Sequence, residues 1–314
     1  MTKHSRKHQS QRITLSGRDG PCPGGSGKSL PDCCLRPDGT LRITPPDLCP
    51  RAPITGLARE GCYLACTGNC SDDLTREHWI SETVIEEIGR TISVGGVPWI
   101  PVGDRKDVST NSLTARILCK RHNEAFSPID AHAGRFMRTL KHIANEISTT
   151  AGKPPGESNY LLSGEMLESW MLKVLVGVYF SKNAADPEGP SISRFPLDMQ
   201  RALKALYDRN WGQRCGLYIV CVPGSQVKSA LSLEVMLRCG LSKNMVYGAR
   251  IVIHGLEFFI IVDDLDGNVL IEEANVVYRP SNLTFENGHQ KHRIVLTWEA
   301  AGPGRAVTLA SYPS

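Results

Sequence analysis

Soft metal ligands at the two ends of one central segment constrain this chain more than any other feature. Cys62, Cys66 and Cys70 stand at the first end, and Cys119 and His122 stand at the second. Thiolate sulfur and imidazole nitrogen are the usual ligands of structural zinc, and ligand pairs from distant parts of a chain can close one tetrahedral site. We therefore predict one structural zinc, bound by two cysteines of the first end together with Cys119 and His122. Cys62 is one of the two, and the other is Cys70 or Cys66.

The composition favours a protein of the cytoplasm. Hydrophobic residues make up 41% of the 314 residues, which is ordinary for a globular chain. No apolar run reaches the roughly 18 residues that a membrane helix needs, and the basic N-terminal segment lacks the apolar stretch of a secretory signal. In a reducing compartment, eleven cysteines indicate metal ligands and buried thiols rather than disulfides. The net charge of +4 permits contact with nucleic acid without requiring it.

Polar and proline-rich stretches divide the chain. Residues 1–21 are basic, with no acidic residue before Asp19, and predict a disordered tail. Residues 35–59 contain five prolines and predict a linker. The remainder divides into a central module, residues 60–148, and a C-terminal domain, residues 160–314.

A second group of cysteines lies between the predicted tail and linker. Cys22 is followed after a glycine-rich spacer by the pair Cys33-Cys34. Residues 22–34 resemble the SEC-C motif, a small zinc module at the C-terminus of the Sec-pathway translocation ATPase, in which a Cys-x-Cys pair precedes Cys-Cys or Cys-His. Gly24 stands where that motif has its second cysteine.

The resemblance to the SEC-C motif implies a second zinc and a docking role. The zinc would be bound by the three cysteines of the motif, with Cys49 as a candidate fourth ligand, and the partner would be a protein or a ribosome. Zinc affinity is folding free energy for so small a module, so loss of the metal site is the alternative interpretation.

The central module carries a further pattern between and beyond its zinc ligands. Glu77 and His78 form an acid–histidine pair, and Asn123 directly follows His122. Residues 60–148 therefore resemble the zinc-stapled HNH, or ββα-metal, endonucleases, in which two cysteine knuckles enclose such a pair. His122 departs from that pattern by replacing a cysteine, which zinc tolerates.

The HNH resemblance implies a fold and decides between the zinc ligands. It implies a small ββα or treble-clef module in which the zinc is structural. In that family the second cysteine lies close to the acid–histidine pair, which favours Cys70 over Cys66.

The same resemblance implies hydrolysis of DNA. His78 would be the base that activates water, while Glu77 and Asn123 would offer oxygen ligands to a catalytic magnesium or manganese ion. The alternative is a zinc-binding adaptor without catalysis, which docks a nucleic acid or a protein. Under that interpretation Glu77 pairs with a basic side chain and His78 is a hydrogen-bonded buried imidazole.

Local signals predict the remaining elements. Ser127 and Pro128 indicate the start of a helix whose apolar stripe extends to Ile147, and His132 early in that helix is interpreted as structural. Apolar spacing further predicts helices and strands over 161–180, 197–207, 216–222, 230–237, 249–254, 258–263, 276–278 and 293–298. The C-terminal part is thus expected to be an α+β domain with a largely antiparallel sheet. We predict no site in it, and its role and the oligomeric state stay open.

Overall fold

The computed structural model describes residues 22, 24–89, 91–95, 97–101, 104–149, 155–183, 195–221, 227, 232–240, 244–263 and 275–299, and the backbone of 306–310. The predicted tail, residues 1–21, lies outside the described residues. The described part is α+β with mainly antiparallel sheets, as predicted from the sequence. Within it, no helix is both long enough and apolar enough to cross a membrane.

The central part of the chain consists of two short strand pairs and two helices. In chain order they are β1 (Leu74–His78), α1 (Glu82–Ile88), β2 (Thr91–Val94), β3 (Lys106–Ser109), β4 (Thr114–Cys119) and α2 (Lys120–Ser148). Strand β1 is antiparallel to β4, and β2 is antiparallel to β3. Because α2 follows β4 without a loop, the end of the first strand pair and the start of the long helix form one unit.

The start of α2 differs from the prediction. The helix begins at Lys120, so Ser127 is not its N-cap and Pro128 lies inside it. Proline there removes one hydrogen bond to the carbonyl of Glu124, an exposed residue. Burial of the predicted apolar stripe, which is confirmed from Ile129 to Ile147, outweighs that loss.

The described residues of the C-terminal half form two sheets and two helices. Its first elements are β5 (Gly156–Ser163), α3 (Gly164–Ser181) and α4 (Met199–Tyr207). They are followed by β6 (Gly216–Val220), β7 (Leu233–Gly240), β8 (Met245–Ile253), β9 (Leu256–Ile261), β10 (Val276–Tyr278), β11 (Asn282–Glu286), β12 (Gln290–Thr297) and β13 (Ala306–Ala310). One sheet has the order β10-β6-β9-β8-β7 and is antiparallel, whereas the other, β13-β11-β12-β5, contains two parallel pairs. The prediction missed β5, β11 and β13.

Helix α3 lies at the centre of the molecule. It is apolar on nearly all sides and is buried from Gly164 to Val178, as expected of a helix with no solvent-facing stripe. It packs against α2, α4 and β4 and against strands of both C-terminal sheets. One continuous hydrophobic core therefore extends from Leu48 to Leu296, and it holds the central strand pair in place.

His132 connects α2 to the start of α3 and predicts a pH dependence of stability. Its buried Nε2 lies 3.0 Å from the Ser163 carbonyl oxygen and 3.2 Å from the Ser163 amide nitrogen, so the ring hydrogen bonds to the backbone at the start of α3. Burial lowers the pKa of His132 to about 4, from about 6.5 in an unfolded chain. Between these two pH values the unfolded chain binds more protons, so the free energy of unfolding should decrease as the pH falls, by up to about 1.4 kcal/mol per pH unit.

Urea denaturation of the wild type and of His132→Gln across this pH range measures that contribution. We expect the variant to be less stable at pH 7 and to show a shallower decline below pH 6.5. Equal slopes in the two proteins would contradict the assignment.

Candidate metal centre

Four of the predicted ligands meet in one buried cluster. Cys62, Cys70, Cys119 and His122 place their ligand atoms within 4.8 Å of one another. The Nδ1 atom of His122 lies 3.6 Å from Cys62 Sγ, 3.7 Å from Cys70 Sγ and 3.1 Å from Cys119 Sγ. None of the four residues is more than 5% exposed. Three thiol groups and one imidazole in a closed, water-free position are compatible with a structural metal ion such as zinc.

A tight turn forms the first half of the cluster. A short 3-10 helix, Ala65–Thr67, ends at Gly68, whose φ of 62° lies in the left-handed region that favours glycine. The amide of Tyr63 donates to the Ile117 carbonyl at 3.0 Å, which attaches this turn to β4. Cys66 is exposed on the turn, whereas Cys70 enters the cluster. Of the two alternatives that the sequence allowed, the structure therefore selects Cys70.

The strand pair of β1 and β4 positions the second half of the ligand cluster. Cys119 ends β4 and is the N-cap of α2, and His122 lies in the first turn of that helix. The Lys120 amide donates to the Asp73 carbonyl at 3.0 Å, and the Ser71 amide donates to Cys119 Sγ at 3.4 Å. The segment after Cys70 is thereby held directly against the Cys119 end of the cluster.

A hydrogen-bond chain sets the orientation of the His122 ring. Thr67 Oγ1 donates its only proton to the Leu64 carbonyl at 2.8 Å, so it can only accept from His122 Nε2, which lies 3.0 Å away. The ring proton is therefore on Nε2, and the lone pair of Nδ1 points at the three sulfur atoms. Such an outer hydrogen bond to a metal-binding histidine is a common feature of metal sites.

The protonation preferences of the four groups also suit a cation. Burial lowers the pKa of His122 to about 4, so the ring is neutral at pH 7. Burial raises the pKa of the Cys62 thiol to about 12 and also raises that of Cys70. At Cys119 burial acts in the same direction, but hydrogen bonds from the amides of His122 and Ser71 outweigh it and lower the pKa. A divalent cation would displace the thiol protons and compensate the buried charge.

Glu77, a predicted catalytic residue, belongs to a buried ion-pair network. It is 6% exposed, and its Oε1 lies 2.5 Å from Lys173 Nζ. The same ammonium group donates to both carboxylate oxygens of Asp130, at 2.8 and 2.7 Å. Ser81 donates to Asp130 and accepts from Trp170 Nε1 at 2.8 Å. Burial raises the pKa of Glu77, while the two carboxylates outweigh burial and raise the pKa of Lys173.

The structure brings Asn123 to Glu77 but leaves His78 apart. Asn123 donates to Thr75 Oγ1 at 3.2 Å, and its side chain opposes the rise in the pKa of Glu77 that burial causes. His78 follows Glu77 in β1, so its side chain points to the opposite face of the strand. It is half-buried, burial lowers its pKa, and its Nε2 has no hydrogen-bond partner within the described part of the chain. The catalytic roles of Glu77, His78 and Asn123 stay predictions.

The three cysteines of the SEC-C-like motif also lie close together. Cys22, Cys33 and Cys34 form a second group whose sulfur atoms lie within 4.8 Å of one another. Cys49, the candidate fourth ligand, is exposed and is not a member of this group. The docking role that the resemblance implied stays a prediction.

Sequence reasoning missed the partners that define these sites. Lys173 carried a signal, since it is a single basic residue within an apolar helix, where a lysine needs a buried counter-charge. Thr67 and Asp130 carried none, because their roles depend on contacts between distant segments.

None of the protein-family models, curated proteins and solved structures with which the chain was compared matches it.

Proposed function

We propose that this chain is a zinc-dependent nucleic-acid-binding protein in which the metal is structural. Strands β1 and β4 pair beside the ligand cluster and α2 follows β4, which supports the ββα zinc module that the HNH resemblance implies. Four protein ligands would fill the coordination sphere of zinc, so the ion would stabilise the fold and take no part in chemistry. The ion pair between Glu77 and Lys173 favours binding over catalysis, because it occupies the carboxylate that a catalytic cation would need.

Two unpaired arginines carry the proposal. The register of β1 against β4 shifts between Thr75 and Glu77, which places Arg76 opposite Arg116 and Ile117. Both arginines are exposed, and neither hydrogen bonds to or ion-pairs with any residue that the structure describes. Two guanidinium groups on facing strands, without a carboxylate between them, suit the phosphates of a nucleic-acid backbone.

Replacing both arginines tests the proposed surface. We expect Arg76→Ser with Arg116→Ser to weaken binding of a fluorescein-labelled DNA duplex about tenfold or more. The slope of the logarithm of affinity against the logarithm of salt concentration should fall by about 2, since two phosphate contacts are lost. Fluorescence anisotropy over a salt series measures both quantities, and parallel titrations with single-stranded DNA and RNA define the preferred form.

Arg238→Ser is the matched control, because Arg238 is exposed on β7 and carries the same charge. It should leave affinity and slope unchanged. Equal binding by the wild type and the double variant would exclude this surface.

An HNH-like endonuclease is the second candidate function. It is favoured by the Nε2 atom of His78, which has no hydrogen-bond partner among the described residues, and by the position of Asn123 near Glu77. Plasmid nicking with added magnesium or manganese, with His78→Ala alongside, separates the candidates. Nicking that disappears in the variant supports His78 as the base, and nicking that survives removes it from that role. If neither ion produces nicking, non-catalytic binding is retained.

A further inference from the structure

The group formed by Cys22, Cys33 and Cys34 differs in kind from the four-ligand centre. Cys22 and Cys34 are buried at 1% and 3% exposure, but Cys33 is partly exposed. The Sγ atoms of Cys33 and Cys34 lie 3.5 Å apart. Backbone hydrogen bonds fix the loop, since the Cys22 amide donates to the Lys28 carbonyl at 2.7 Å and the amides of Cys33 and Cys34 donate to Leu30. The three sulfur atoms thus converge, and no described residue supplies a fourth ligand.

Because residue 24 is a glycine, it places no side chain where a fourth ligand of this cluster would stand. A side chain on Gly24 would project into the cluster, because its Cβ would lie 2.8 Å from Cys34 Sγ and 3.2 Å from Cys22 Sγ. The Gly24 amide instead lies 3.3 Å from Cys22 Sγ and donates to it. The polypeptide therefore approaches the sulfur atoms with an N–H donor where a fourth ligand would otherwise stand.

A half-buried arginine from α2 supplies positive charge at the same place. Arg135 Nη1 donates to the Gly24 carbonyl, and its guanidinium interacts electrostatically with Cys22 and Cys34. Three thiolates and one zinc ion carry a single net negative charge, which one guanidinium neutralises. Arg135 therefore neutralises the net charge of a zinc ion bound by three thiolates.

We propose that Cys22, Cys33 and Cys34 bind one zinc ion and are its only ligands from the part of the chain that the structure describes. Arg135 balances the charge of this complex. The fourth coordination position lies beside Gly24 and accepts a small exchangeable ligand, either water or an external thiol, which reaches it past the partly exposed Cys33. Zinc sites with three protein ligands keep such an open position, whereas structural sites are closed. The proposal does not depend on the function proposed for the central module.

Metal content and cobalt spectroscopy of the full chain test the site. With thiols kept reduced, we expect two zinc ions per wild-type chain and one per Cys33→Ser chain by elemental analysis. In the cobalt-loaded wild type, adding 2-mercaptoethanol should alter the visible absorption by adding a fourth sulfur ligand. The same addition should leave cobalt-loaded Cys33→Ser unchanged, because only the closed centre remains. A Cys33→Ser chain that retains the wild-type zinc content would overturn the site, and a wild-type spectrum that ignores the thiol would overturn the open position.

Closing the position from the protein side gives an independent test. In Gly24→Cys the Cys34 side chain must swing slightly to make room, after which the new thiol can complete the site. We expect release of the second zinc to a competing chelator to become about tenfold slower or more, with loss of the response to 2-mercaptoethanol. Thr40→Cys adds an exposed thiol elsewhere in the loop and should change neither. A Gly24→Cys chain that still responds to 2-mercaptoethanol like the wild type would contradict the proposed geometry.

Variants of Arg135 that remove or keep the positive charge test its role. Arg135→Met should lower zinc affinity at this site by about tenfold to a hundredfold, as loss of an outer-shell partner does in other metal sites. Arg135→Lys keeps the positive charge and should retain most of the wild-type zinc affinity. Arg138→Met is the control, because Arg138 pairs with Glu87 instead. Equal affinities for the methionine and lysine variants would exclude charge balance as the function of Arg135.

Discussion

Cys119→Ser is expected to remove one zinc ion per chain and to destabilise the central module strongly. The substitution leaves Cys62, Cys70 and His122 buried without the fourth ligand that closes the site. Binding of structural zinc contributes about 10–16 kcal/mol in isolated zinc-finger peptides, and loss of even a third of this would lower the thermal midpoint by about 10 °C or more. Elemental analysis and thermal unfolding followed by circular dichroism measure the two effects.

Cys66→Ser is the matched control for this experiment. Cys66 lies on the same turn as Cys62 but is exposed and outside the cluster. The same chemical change there should leave both the zinc content and the thermal midpoint unchanged. A Cys119→Ser protein with the zinc content of the wild type would show that the cluster is not the metal site. An equal loss in both variants would assign Cys66 a role that its position does not support.

The ligands could be predicted because the chemistry of each is local and their spacing is distinctive. Cys119 and His122 lie in one helical turn, and no arrangement of the chain separates them. The choice of Cys70 over Cys66 could be made only through a family resemblance, since both are equally reachable from Cys62. In the structure Gly68 turns the chain so that Cys66 faces outward.

The features that could not be predicted from the sequence depend on contacts between distant segments of the chain. Local capping signals placed the start of α2 at Ser127, but the turn that carries Cys119 and His122 begins it at Lys120. Glu77 was interpreted as a ligand for a catalytic cation, although its environment is set by Lys173 of α3. No local pattern near Glu77 identifies that partner. The strands β5 and β13 were missed for the same reason, since each obtains its partner only through parallel pairing with a distant strand.

Lys173→Met is expected to produce the second large effect, a loss of about 3–5 kcal/mol in the free energy of unfolding. Lys173 is 3% exposed and is the shared cation of Glu77 and Asp130. Removing it leaves the buried Glu77 and the partly buried Asp130 without their shared cation, which costs more than the ion pair itself contributes. Lys141→Met is the control, because Lys141 pairs with Glu87 at 3.8 Å near the surface, where such pairs contribute less than about 1 kcal/mol.

The pH dependence of this loss distinguishes a charge effect from a packing effect. In the variant the pKa of Glu77, which burial already raises, should rise further because its cation is gone. A carboxyl whose pKa is raised on folding destabilises the folded state above that pKa, and the penalty disappears as the pH falls through it. Urea denaturation should therefore show the gap between wild type and Lys173→Met narrowing from pH 7 towards pH 5. Adding Glu77→Gln to the variant should recover part of the loss at pH 7. A gap that is constant with pH and insensitive to Glu77→Gln would mean that Lys173 acts through its aliphatic packing, so that Glu77 would remain available to bind a cation.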